Sequence, residues 1–150
     1  MTLQNLLRIG KLKEHVPAAA EVQRLLAAVD RNLADAGVAD ISDETRFDAA
    51  YKAVMQCALT AMFCSGYRPS TSEPGHHQTM IQSLPLTLGV SHDTWIVLDA
   101  LRRKRNANDY TGDFITPDIV AECITQATAL RKLLRAHLTA HRPDLLKKPK

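Results

Sequence analysis

Residues 116–138 read TPDIVAECITQATALRKLLRAHL. Ile119, Val120, Cys123, Ile124, Ala127, Leu130, Leu134 and Leu138 recur three or four residues apart, the spacing that gathers side chains on one face of an α-helix. Thr116 suits the N-cap, because its hydroxyl can accept from an otherwise unpaired backbone N–H. Pro117 suits the first helical position, where its missing N–H costs nothing, and Asp118 complements the positive end of the helix dipole. The pattern persists for about six turns with no period-two alternation. A helix this long, apolar on one side, needs other elements to cover that side.

Outward from it the same period repeats. Thr2 to about Glu14 predicts a short amphipathic helix carrying Leu3, Leu6, Leu7 and Ile9. Pro17 opens a second, with Val22, Leu25, Leu26, Val29 and Leu33 on one face, and Gly37 ends it. Ser42 or Asp43 caps a third, in which Phe47, Tyr51, Val54, Cys57 or Ala58, Ala61 and Met62 follow at helical spacing until Gly66. Its alanines let a neighbour approach closely. Residues 67–75, YRPSTSEPG, read as a loop. A shorter helix runs from His76 to about Leu88, bent or interrupted by Pro85. Ser91 caps the next, whose inward stripe is Thr94, Trp95, Leu98 and Leu101. The short connections predict an all-α, antiparallel up-down bundle of five to six helices. One domain spans residues 1–150, with its core over about 17–141 and a flexible tail over 142–150.

Composition agrees. Hydrophobic residues make up 45% of the 150 and aromatic ones 5%, so aliphatic side chains must fill the interior. A net charge of +3 and a pI near 8.9 permit nucleic acid as a partner without requiring it. Cys57, Cys64 and Cys123 lie within apolar helical patterns, as reduced thiols of an intracellular protein do. No CxxC pair marks a zinc site, so neither a metal nor another cofactor is expected. There is no run of about 20 apolar residues to span a bilayer, and the start of the chain does not read as a signal peptide. These readings give a cytoplasmic protein without membrane attachment.

The helix from Ser91 changes character midway, in the run Arg102-Arg103-Lys104-Arg105-Asn106-Ala107-Asn108-Asp109-Tyr110. Basic residues at a helix C-terminus ordinarily complement the dipole, each contributing roughly 0.3–1 kcal/mol. Arg105 departs from that pattern. It stands seven residues after Leu98 and four after Leu101, so it continues the buried stripe, where a guanidinium must find a partner or a ligand. Arg102 lies on the same side, and Asp99 can pair with Arg103 at i,i+4. Asn106, Asn108 and Asp109 are poor helix formers, so the run is not optimised as a plain helix end.

Residues 98–110, LDALRRKRNANDY, resemble the signature helix of HEPN domains, small helical-bundle proteins of prokaryotic toxin–antitoxin and defence systems. The resemblance extends back to Tyr51-Lys52-Ala53, Gly66-Tyr67-Arg68 and Gly75-His76-His77 and forward to the last helix, so it covers most of the chain from Phe47. HEPN ribonucleases carry an Arg, a polar residue and, a few residues on, a His. Two copies meet across a homodimer cleft and cleave RNA without metal. The resemblance implies that Arg105 binds phosphate and that Asn106 positions neighbouring groups.

At the place of the family's His this chain has Tyr110, Thr111 and Gly112. An imidazole exchanges protons near neutral pH, whereas a phenol, with a pKa near 10, is a poor base. The departure shifts the expectation from cutting RNA to binding it. Three functions follow from the resemblance. The first is a homodimer that holds RNA or a nucleotide through Arg105, Asn106 and Tyr110, with weak or no cleavage. The second is a metal-independent ribonuclease in which Tyr110 or His77 stands in for the missing His. The third is a non-catalytic partner subunit of a small nucleotidyltransferase. Arg102, Arg105, Asp109, His76 and His77 are the ligand-binding candidates. His76 and His77 also read as the plain start of a helix, and His137 and His141, one turn apart, as solvated side chains.

Overall fold

The computed structural model describes residues 1–72 and 75–147. Six α-helices and a two-stranded sheet make an all-α helical bundle with one small β-ribbon. The helices are α1 (Leu3–Arg8), α2 (Ala19–Ala36), α3 (Asp43–Cys64), α4 (His76–Thr87), α5 (His92–Thr111) and α6 (Pro117–His141). The caps are as expected: Ser42, Ser91 and Thr116 each accept a hydrogen bond from the backbone N–H three residues on. Helix α3 is the hub. It lies against α2 and α6 and, less extensively, α4, and twelve of its residues are buried. A helix apolar on most sides belongs at the centre. The buried cluster draws on all six helices, with Phe47, Met62, Ile81, Leu84, Leu98 and Leu134 at most 1% exposed.

Three expectations are corrected. The first helix stops at Arg8 rather than about Glu14. Gly10 adopts φ +83°, a left-handed conformation open to glycine, and turns the chain. Leu12–Glu14 is instead a strand, β1, pairing antiparallel with β2 (Tyr67–Pro69) inside the expected loop, with Leu12 opposite Pro69 and Glu14 opposite Tyr67. Leu12 is 1% exposed, so this ribbon carries a core residue. Glu73 and Pro74 of that loop lie outside the described residues.

The tail is the second correction. Pro143–Leu146 form a 3-10 helix that packs on α2 and α6, and Leu145 is buried; residues 148–150 lie outside the described residues. Proline placement is the third. Pro17 precedes the N-cap Ala18 instead of entering the first turn of α2, and Pro85 lies inside α4 without interrupting it before Thr87. No helix of the described residues is long and apolar enough to cross a membrane.

Candidate functional site

Helix α5 buries only Leu98, Asp99 and Leu101. Arg105 follows on that stripe, one turn beyond Leu101, with its side chain one-third exposed at 32%. There it meets α3, where its guanidinium carbon stands 5.0 Å from the centroid of the Tyr51 ring. Nε of Arg105 is buried and has no hydrogen-bond partner. The nearest carboxylate, Oδ2 of Asp109, is 3.8 Å away, too far for a hydrogen bond. The stacked face of a Tyr ring suits a cation, but it offers this N–H no acceptor.

The guanidinium faces a cleft of about 660 Å³ between α3, α4 and β2. From α3 come Asp48, Tyr51, Lys52 and Gln56, followed by the apolar Met55, Leu59 and Phe63. His76, His77 and Met80 of α4 and Arg68 and Pro69 of β2 complete most of the wall. The three full cations Lys52, Arg68 and Arg105 face one carboxylate, Asp48, among the described lining residues.

Tyr51 joins the elements. Its hydroxyl lies 3.4 Å from Nδ1 of His77, a long hydrogen bond, and His77 packs edge-on against His76 at 4.8 Å. Burial pushes the Tyr51 phenol up to about 12, against the pull of the Arg105 and Arg102 charges. Burial also holds His77 below the usual imidazole range, and the charges of His76, Arg105 and Arg102 act in the same direction. Partial burial raises the Asp48 carboxyl against the pull of Arg105, with Asp109 and Glu44 adding to the rise. The site therefore holds a neutral phenol, an imidazole that resists protonation and a fixed guanidinium.

The sequence-derived candidates divide into two groups. Arg105, His76 and His77 come together on the cleft. Asn106, Asp109 and Tyr110 are exposed at the end of α5 and do not line it; Tyr110 is 85% exposed, and Phe114 beyond it is also exposed. Arg102 is committed elsewhere, since its Nε donates to Oδ1 of the buried Asp99 at 2.9 Å. Arg103 pairs with the same carboxylate at 2.8 Å, as its spacing suggested. The rings of His137 and His141 lie tilted with their centroids 4.6 Å apart, and no group of three or more metal-binding side chains occurs among the described residues. All three cysteines are buried and free.

Asp48 and Lys52 escaped the sequence reading as site residues. The available signal was the i,i+4 spacing of the polar residues Asp48, Lys52 and Gln56, a row of α3 adjacent to the apolar row Tyr51, Met55, Leu59 and Phe63. Compared with known proteins, the chain matches no family model, no curated protein and no solved structure.

Proposed function

We propose that the chain is a HEPN-like homodimeric protein that binds RNA or a nucleotide, with weak or no cleavage, in a toxin–antitoxin or defence setting. The observation that carries this reading is Arg105, whose buried Nε lacks an acceptor and whose guanidinium faces the cleft. A phosphate supplies acceptors in the geometry a guanidinium prefers. Lys52 and Arg68 add to the positive field of the same cleft. Asn106 and Tyr110, exposed beside it on α5, are free to meet a strand or a second copy, and the exposed aromatics Tyr110 and Phe114 favour such a contact.

The test is fluorescence anisotropy with a labelled oligoribonucleotide across a salt series. Arg105→Ala is expected to weaken binding at least about tenfold and to lower the slope of log affinity against log salt by about 0.7, one phosphate contact on a single strand. Equal affinity and slope in both proteins would remove the reading.

A second reading, ribonuclease activity, is favoured by one observation. His77 sits beside Tyr51 and Arg105 with its imidazole held toward the neutral form, and a neutral imidazole can accept a proton. RNA degradation by the wild type that is lost in His77→Gln, with RNA affinity retained, would establish it.

A further inference from the structure

Beyond Arg105 the cleft continues as a trough. Tyr51, Met55, Leu59 and Phe63 are spaced by four residues and all line it, so they form one ridge of α3. At 1.5 Å per residue the ridge measures about 18 Å. Several polar groups gather at its Tyr51 end, where Asp48 is the one carboxylate among the described lining residues, while Arg68 stands on β2. Arg105 and His77 meet the Tyr51 ring itself, His76 packs on His77, and Lys52 follows Tyr51 in α3. Helix α4 also begins at this end, with Gly75 as an N-cap that makes no side-chain hydrogen bond and no acidic residue in the first turn. Its positive dipole end is therefore uncompensated by side chains.

We propose that this trough binds a small amphiphilic anion, with a carboxylate or phosphate head at Arg105 and an apolar or aromatic body along Met55, Leu59 and Phe63. Three observations converge on that chemistry. The volume of about 660 Å³ falls in the range of about 300–1,000 Å³ typical of small-molecule sites, which are also mainly apolar with a few convergent polar groups. The buried Nε of Arg105 lacks an acceptor, and leaving such a donor unpaired is costly. Beyond Tyr51 the α3 floor presents the apolar Met55, Leu59 and Phe63, with Arg68 of β2 on the wall, so an apolar body gains from burial along that ridge. The proposal shares Arg105 with the phosphate reading but does not depend on RNA.

The test uses the full chain and anilinonaphthalenesulfonate, a fluorescent anion with an aromatic body. Decanoate, adenosine monophosphate and inorganic phosphate serve as competitors. One dye is expected to bind per chain, and Leu59→Trp, which fills the half-buried middle of the trough, should weaken it at least about tenfold. Displacement by decanoate alone assigns an acyl carboxylate, and displacement by adenosine monophosphate alone assigns a planar phosphate. Displacement by neither, or unchanged dye affinity in Leu59→Trp, overturns the proposal.

Methyl NMR of the wild type removes any dependence on how the variant folds. Saturating decanoate or adenosine monophosphate should shift the Met55, Leu59 and Met80 methyl signals, and unmoved signals with both overturn the site. Leu59→Trp should bind the oligoribonucleotide as the wild type does. Leu59-dependent dye binding without any RNA binding would retire the RNA reading and leave this one standing.

Discussion

The guanidinium carbon of Arg105 stands 5.0 Å from the centroid of the Tyr51 ring, and that ring also carries the hydroxyl that meets His77. One aromatic side chain of α3 thus fixes the polar end of α5 and the first turn of α4. Tyr51 is 2% exposed, so the platform is rigid. A guanidinium held over the ring gains the attraction of its face, while its buried Nε is left without an acceptor.

Two substitutions at Tyr51 separate ring from hydroxyl. Tyr51→Phe keeps the face under Arg105 and should leave anion affinity within about twofold of wild type. It should cost under about 1 kcal/mol of stability in urea unfolding, since a long hydrogen bond is lost. Tyr51→Leu removes the π face and should weaken anion binding about two- to fivefold, matching a cation–π contribution of about 0.5–1 kcal/mol. Equal losses of affinity in the two variants would transfer the role to the hydroxyl and His77.

The long helices were legible because each repeats its apolar residues over several turns, and Ser42, Ser91 and Thr116 announce their starts. The β-ribbon was not legible, because three residues per strand are too few to show alternation, and Leu12 looked like one more apolar residue of the first helix. At the site, projection along α5 singled out Arg105, because a single helix holds that information. What Arg105 faces depends on how α3, α4 and α5 pack, which no local period records. Arg102 shows the same limit in reverse. It shares the side of α5 that suggested a ligand, yet Asp99, three residues earlier, already holds it.

Stability should fall on acidification through the imidazole range. His77 is held below its ordinary pKa of 6.5 by burial and then by its cationic neighbours, and His137 is lowered by burial and His141. The unfolded chain therefore binds protons that the folded chain refuses, so stability is complete above the ordinary value and is lost as pH falls through it. Asp48, with its pKa raised, acts in the opposite sense further down, in the carboxylate range. Urea midpoints measured from about pH 7.5 to about pH 5.5 should decline, and His77→Gln should flatten the decline. An unchanged slope in that variant would show that His77 takes up its proton freely in the folded protein.

Asp99 is 4% exposed, accepts from Arg102 at 2.9 Å and forms an ion pair with Arg103 at 2.8 Å. Asp99→Ala should destabilise by about 2–4 kcal/mol, because it leaves the mostly buried guanidinium of Arg102 without its carboxylate. The Arg103 side chain is 73% exposed, and Arg103→Ala should change stability by no more than about 0.5 kcal/mol. Similar losses in both variants would mean that the exposed member matters as much as the buried one.

The C-terminal segment should contribute to stability although its sequence reads as a tail. Leu145 is 3% exposed and sits in a 3-10 turn that packs on α2, and Nε2 of Gln23 donates to its carbonyl at 3.2 Å. Arg142 pairs with Asp144 at 3.1 Å, closing the turn back on the end of α6. Leu145→Ala therefore deletes a buried aliphatic side chain and should cost about 2–4 kcal/mol, within the range for such truncations. Truncation after His141 removes the same side chain together with the Gln23 contact, so its loss in chemical denaturation should be at least as large. A truncated chain that unfolds at the wild-type urea midpoint would show that the segment does not hold to α2 in solution.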